Sequence, residues 1–227
     1  MASDHRSASV KETRLALILA AERIFAEEGI SNTSLRRINQ VAGQRNESAI
    51  HYYFGSREGV VAAILEHRTG PINTARVDMI RSATERRGDL PLDSRDIAEA
   101  LVRPLTEHLR ANKGDTYYLR FQSMLWLDRP IWKQFERDER AEGLKLGLDA
   151  LLRSKPFLPE TLVKHRYGLA LQMVANSLSR VERSLSEACD WQLAELEFLN
   201  LIDAVEAIFE ASPSAQVVAA LKSLDDQ

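Results

Sequence analysis

The sequence predicts an all-α protein, with a three-helix N-terminal unit over residues 1–57 that holds a helix-turn-helix and a larger helical unit over residues 58–227. Three observations predict it. Apolar residues recur at steps of three and four along most of the chain, no alternating apolar and polar stretch is long enough for a strand, and glycine and proline punctuate the periodic segments.

In the first unit, Leu17, Ile18, Ala21, Ile24 and Phe25 share one face of a helix over about 11–28, which Gly29 ends. Thr33 and Ser34 offer N-cap oxygens to a second, shorter helix carrying Leu35, Ile38, Val41 and Ala42, stopped by Gly43. Gln44 and Arg45 lead to Asn46, a good N-cap, with Glu47 placed where a carboxylate suits the helix dipole. The third helix runs through Ala49, Ile50 and Tyr53 to about Phe54. Two short helices with a glycine in the bend have the layout of a helix-turn-helix, which many helical hairpins share.

Beyond Gly55 the predicted helices span about 56–68, 71–87, 94–111, 115–127, 137–153, 159–188 and 191–210, with short segments after Pro130 and Pro213. Gly70-Pro71 is read as a break between the first two. There is no internal repeat and no low-complexity linker, so the two units are expected to join directly through helix.

Composition narrows the function classes. A chain of 227 residues with 44% hydrophobic content supports a buried core. The single cysteine, Cys189, excludes an intramolecular disulfide and a thiolate metal cluster. Residues 1–10 lack the apolar core of a signal peptide, and no stretch approaches the ~18 apolar residues of a membrane span. A cytoplasmic protein without a cofactor is the expectation. Net charge is −3, yet Arg36, Arg37, Arg45 and Arg57 face only Glu47 within residues 34–57. That stretch suits phosphate contact, or an ordinary solvated arginine-rich face.

The motifs Ile18-Leu19-Ala20-Ala21, Ile24-Phe25-Ala26-Glu27, Gly29, Thr33-Ser34-Leu35-Arg36-Arg37-Ile38, Ala42-Gly43 and His51-Tyr52-Tyr53-Phe54-Gly55-Ser56-Arg57-Glu58 follow in order over about a quarter of the chain. In these motifs the segment resembles the tetracycline-repressor (TetR) family of regulators. The resemblance implies a homodimeric, ligand-responsive repressor of operator DNA. Two departures stand out. Asn39 follows Ile38 where the family has alanine, and one extra residue lies between Ala42-Gly43 and the aromatic cluster.

A recognition helix in the major groove reads bases with its N-terminal residues, which here are Arg45, Asn46 and Ser48. Asn46 either pairs with adenine or caps its own helix. His51 and Tyr52 are expected at the DNA backbone or a thymine methyl, Phe54 in the core, and Tyr53 partly buried. The resemblance puts Arg57 on phosphate, with Ser56 capping its helix. Ser34, Arg36 and Arg37 are expected at the backbone from the second helix, against the alternative of plain surface charge.

For a ligand site, the aromatic run around Tyr117, Arg120, Phe121 and Met124 is the first candidate, joined by Arg166, Tyr167, Met173 and Asn176 from a later helix; plain core is the competing reading. Arg120 or Arg166 turned inward would favour an anionic amphipathic effector. Leu169, Met173, Leu178 and Val181, with Leu196, Leu199 and Val205 on the next helix, are the expected dimer interface. By resemblance this pair makes a four-helix interface across a two-fold axis, which implies a pseudo-palindromic operator. An all-α enzyme is the alternative, but Cys189 has no histidine near it in sequence. The carboxylate pairs Asp138-Glu139 and Glu195-Glu197 sit at spacings that do not face each other on a helix.

Overall fold

The computed structural model describes residues 2–44, 46, 48–135 and 142–225, which form eleven helices. They are α1 (Ala2–Glu28), α2 (Leu35–Val41), α3 (Ala49–Phe54), α4 (Arg57–Arg87), α5 (Ser94–Ala111), α6 (Tyr118–Leu127), α7 (Arg129–Phe135), α8 (Glu142–Ser154), α9 (Glu160–Ala188), α10 (Trp191–Glu210) and α11 (Ala215–Asp225). Among the described residues there is no strand. The predicted start of the helix before 153 falls partly on residues 137–141, outside the described residues.

The N-terminal head is built as its periodicity dictates. Leu17, Ile18, Ala21, Ile24 and Phe25 of α1 are buried with Ile38 of α2, Ile50 of α3 and Val60, Val61 and Ile64 of α4. Ser34 Oγ accepts from Arg37 N at 3.2 Å and caps α2, while Ser56 Oγ accepts from Gly59 N at 3.2 Å and caps α4.

One expectation is corrected. Gly70-Pro71 does not break the chain, and α4 is a single 31-residue helix with Pro71 inside it. Proline removes a donor and crowds the preceding turn, but both halves of α4 are held by burial: Val60, Val61 and Ile64 on one side of the proline, Ile72, Val77 and Ile80 on the other. Tertiary packing outweighs the local penalty. α4 thus belongs to the head at its start and to the larger helical unit at its end.

α6 crosses behind the head. Phe121 stacks on Phe25 of α1 with ring centroids 6.3 Å apart. Further out, α5 is stitched to α10 by Arg110, whose guanidinium donates to both oxygens of Glu195 at 2.8 and 2.6 Å, and by Arg95 to Glu206 at 3.0 Å.

Gly59 marks the tightest approach: a Cβ there would lie 1.9 Å from the carbonyl oxygen of Phe54. Gly59→Ala is expected to destabilise the protein by about 1–3 kcal/mol, the range for overpacking, read as a lower melting temperature. His108 offers a pH test. Burial first, then Arg68 and His67, push its imidazole down to about 4, and Nε2 lies 3.1 Å from Thr116 Oγ1. The unfolded imidazole titrates near its ordinary value of about 6.5. Between that value and about 4 the unfolded chain binds the extra proton, so this contribution to stability is lost as pH falls. Melting temperatures measured from pH 7 to 4 are expected to drop less steeply in His108→Gln.

Candidate nucleic-acid interface and internal cavity

The turn between α2 and α3 orients the head's outer surface. Gly43 takes φ of +66°, where a side chain would be strained. Asn39, one of the two departures in sequence, is 1% exposed, and its Oδ1 accepts from the buried N–H of Ile50 at 3.1 Å. An amide on α2 therefore satisfies an otherwise unpaired donor in the first turn of α3. Asn46 uses its Oδ1 on Ser48 N at 2.9 Å and its carbonyl on Ala49 N at 3.1 Å, so its oxygens serve the chain entering α3.

With Ala49 and Ile50 turned inward, Asn46, Ser48, His51 and Tyr52 lie on the exposed side of α3 and its approach, Tyr52 being 82% exposed. The Tyr52 ring meets Tyr53 edge-on, centroids 5.1 Å apart. His51 Nδ1 is 3.1 Å from the carbonyl of Gly55. Because a carbonyl only accepts, that nitrogen carries the proton. Tyr53 is half-buried, as expected; Phe54 is also half-buried rather than fully in the core, with the Arg14 guanidinium 5.5 Å from its ring centroid.

The arginines divide. Arg36 and Arg37 are exposed on α2, Arg37 lying 3.5 Å from Glu28. Arg57 donates from Nη2 to the carbonyl of Thr33 at 2.7 Å, which pins the start of α4 to the loop before α2. Its Nε is buried without a partner. Arg45, expected to read bases, lies outside the described residues.

Behind the head, α4 and α6 face each other across a cavity of about 120 Å³. α4 contributes Leu65, Thr69, Ile72 and Arg76; α6 contributes Tyr118, Gln122, Leu125 and Trp126. Leu101 of α5, Trp132 of α7, Leu144 of α8 and Leu171 of α9 close it. The residues expected at a ligand site lie elsewhere. Arg120 is buried against Glu182, donating from Nε at 3.2 Å, with its guanidinium 4.4 Å from the Tyr117 ring centroid. Phe121 is core, and Tyr167 donates its hydroxyl to the carbonyl of Leu144 at 2.7 Å. Asn176 accepts from Ser123 Oγ at 2.9 Å. Met124, Met173 and Arg166 are also absent from the lining. The aromatic run of α6 does border the cavity, but through its other face. The signal missed in sequence was the 65, 69, 72, 76 spacing, one face of one helix, which an assumed break at Gly70-Pro71 divided in two.

The residues expected at a dimer face divide between core and surface. Leu178, Val181 and Val205 are buried in the chain's own core, and Met173 is half-buried. Leu169, Leu196 and Leu199 are exposed on α9 and α10, together with Leu193. Among the described residues no group of three or more His, Cys, Asp and Glu is placed to hold a metal, and no helix is long and apolar enough to cross a membrane.

The architecture is a helix-turn-helix head joined by one shared helix to an all-α body that holds a cavity. The profile of bacterial regulatory proteins of the tetR family matches residues 17–64. The HTH-type transcriptional repressor NicS of Pseudomonas putida is 31% identical over 74 residues, 33% of this chain and 34% of that protein, so the match spans about a third of the relative's length. Two solved structures share the fold at 20% identity. A tetR family transcription regulator from Shewanella sp. PV-4 has a TM-score of 0.55, covering 87% of this chain and 95% of that one. One from Marinobacter aquaeolei VT8 has a TM-score of 0.51, covering 88% and 97%. Over residues 17–64 the chain is similar to the tetR family of bacterial regulatory proteins.

Asn39→Ala would leave the Ile50 N–H buried and unpaired. The expected cost is about 1–3 kcal/mol, measured by thermal or denaturant unfolding.

Proposed function

We propose that the protein is a homodimeric transcriptional repressor, held on a pseudo-palindromic operator by its N-terminal heads and released when a small effector fills the cavity between α4 and α6. The observation that carries this reading is the continuity of α4. On successive turns of one helix, Val61, Ile64 and Arg68 bind the head, while Leu65, Thr69, Ile72 and Arg76 line the cavity. Whatever fills the cavity acts directly on the element that carries the head. A ligand that binds one arrangement of α4 better than another shifts the population between them.

The exposed side of α3 supports the DNA part. Ser48, His51 and Tyr52 project from it, with Asn46 just before it. Arg36 and Arg37 lie on the helix that crosses the DNA backbone in this kind of head, and Ser34 stands at that helix's start. Arg57 is proposed to bring its remaining guanidinium donors to phosphate from the start of α4. Arg45 is proposed to read a base on the strength of its place in the sequence. The dimer is supported by the exposed leucines of α9 and α10. Leu169 is 58% exposed and Leu196 63% exposed, an apolar strip that two copies would cover across a two-fold axis. The repressor named among the relatives is consistent with repression.

Selection of bound fragments from genomic DNA, followed by salt titration on the recovered site, tests the reading. A pseudo-palindromic site is expected, with affinity falling steeply as salt rises. Tyr52→Ala or Arg45→Ala should weaken specific binding by about 1–3 kcal/mol, and Arg37→Ala should reduce the salt slope by roughly one. Leu196→Glu should elute as a monomer in size-exclusion chromatography and lose affinity for the full palindrome. No enriched site, with no salt-dependent binding, would overturn the proposal.

A further inference from the structure

Arg76 is the unusual residue of the cavity. It is 6% exposed, and among the described residues its hydrogen bond runs from Nε to the carbonyl of Ala100 at 3.1 Å. No carboxylate among the described residues pairs with it. Burial holds its pKa below the usual guanidinium range, and the tyrosines near it, Tyr167 and Tyr118, are neutral phenols whose own pKa values burial raises. Other buried cations are treated differently. Arg120 has Glu182 at 3.2 Å and Lys155 has Glu210 at 2.5 Å. Arg166, which also has no carboxylate partner among the described residues, does not line the cavity.

A guanidinium removed from water without a counter-charge is costly to the fold alone. An anion brought by a ligand would supply the counter-charge that none of the described residues supplies. The other polar groups at the wall are neutral: Thr69 Oγ1 lies 3.4 Å from the Tyr118 hydroxyl, which accepts from Gln122 Nε2 at 3.3 Å. One cation and a few neutral dipoles suit a singly charged carboxylate better than a doubly charged phosphate. The remaining lining is apolar and aromatic, including Leu101, Leu125, Trp126 and Leu171. The volume of about 120 Å³ is somewhat below that of a roughly 150 Å³ protein cavity known to take benzene, so the apolar body it admits is small.

We infer that the effector is a small organic acid, its carboxylate on the Arg76 guanidinium and its apolar body, about the bulk of one ring, between α4 and α6. This names the ligand class of the site proposed above and rests on that reading for its regulatory meaning.

The test uses the full-length protein and three acids, benzoate, cyclohexanecarboxylate and hexanoate, each beside its neutral amide, with phenyl phosphate and inorganic phosphate as further probes. Binding is read by calorimetry and by thermal shift. At least one acid is expected to bind the wild type at least about tenfold more tightly than its amide, the order expected of a buried charge-assisted pair. In Arg76→Met that preference should collapse to about one, and Arg76→Lys should restore part of it. Without ligand, Arg76→Met should melt no lower than the wild type, since it removes an uncompensated charge. A structural cation would instead give a lower melting temperature and leave the acid-to-amide ratio of the wild type near one.

The comparison of acid with amide on the wild type stands even if the variant fails to fold. No binding of any acid at millimolar concentration, equal binding of acids and amides, or tighter binding of phenyl phosphate than of every acid would overturn the inference. Operator release is measured separately. Acid binding without release leaves the inference standing and removes the regulatory reading; release by neutral compounds alone, with no acid bound, does the reverse.

Discussion

A carboxylate taken out of water must be neutralised and hydrogen-bonded where it sits, and in this protein two such carboxylates fix how the helices meet. Glu22 of α1 is 1% exposed; Arg68 of α4 donates to its two oxygens at 2.7 and 3.0 Å, and the N–H of Tyr117 reaches it at 3.3 Å. Glu182 of α9 is fully buried and accepts from the N–H groups of Leu119 at 3.1 Å and Arg120 at 2.9 Å. Burial pushes its carboxyl up to about 7 against the pull of those donors. At the start of α6 the Tyr117 side chain makes no cap, and Thr116 Oγ1 meets the N–H of Tyr118 at 3.3 Å. The N–H groups around it, and the positive end of the helix dipole, are met by carboxylates from the head and from α9. Breaking a buried pair of this kind by removing one partner typically costs about 3–5 kcal/mol. The head, the cavity wall and the α9 surface are therefore held by one junction.

That junction gives the cavity mechanical leverage. Arg68 is adjacent to Thr69 and one turn from Ile72 on the same helix, and Tyr117 precedes the cavity-lining Tyr118. Arg68 and Tyr117 both bond to Glu22, and Glu22 belongs to the helix on which α2 packs. The Phe25 and Phe121 stack adds an apolar contact across the same boundary. Pro71 lies between the head-binding and body-binding parts of α4. The missing donor at that point gives the helix a built-in place to bend, without interrupting it.

The head shows how departures from a common pattern can be compensated. An amide at position 39, on the packed side of α2, reads as a liability in sequence. In the fold it becomes the cap of Ile50, and the altered approach to α3 is stabilised by Asn46 closing on Ser48 and Ala49. These bonds use the oxygens of both asparagines, leaving the exposed side of α3 to Ser48, His51 and Tyr52 together with the amide nitrogen of Asn46.

The sequence by itself determined the helical class, the caps Ser34 and Ser56, the inner face of the head and the outward position of Tyr52 on α3. Each of these follows from spacing and capping chemistry within a few residues. Tertiary structure alone decided that α4 continues through Pro71, that Arg120 faces Glu182 while Arg76 faces the cavity, and that Leu178, Val181 and Val205 turn inward while Leu169, Leu196 and Leu199 remain outside. The physical reason is distance along the chain. The groups that stabilise these choices, such as Glu22 for Tyr117 and Glu182 for Leu119, stand 95 and 63 residues away. On an amphipathic helix with apolar residues on more than one side, periodicity does not say which side is covered. Only the neighbours that arrive in the fold do.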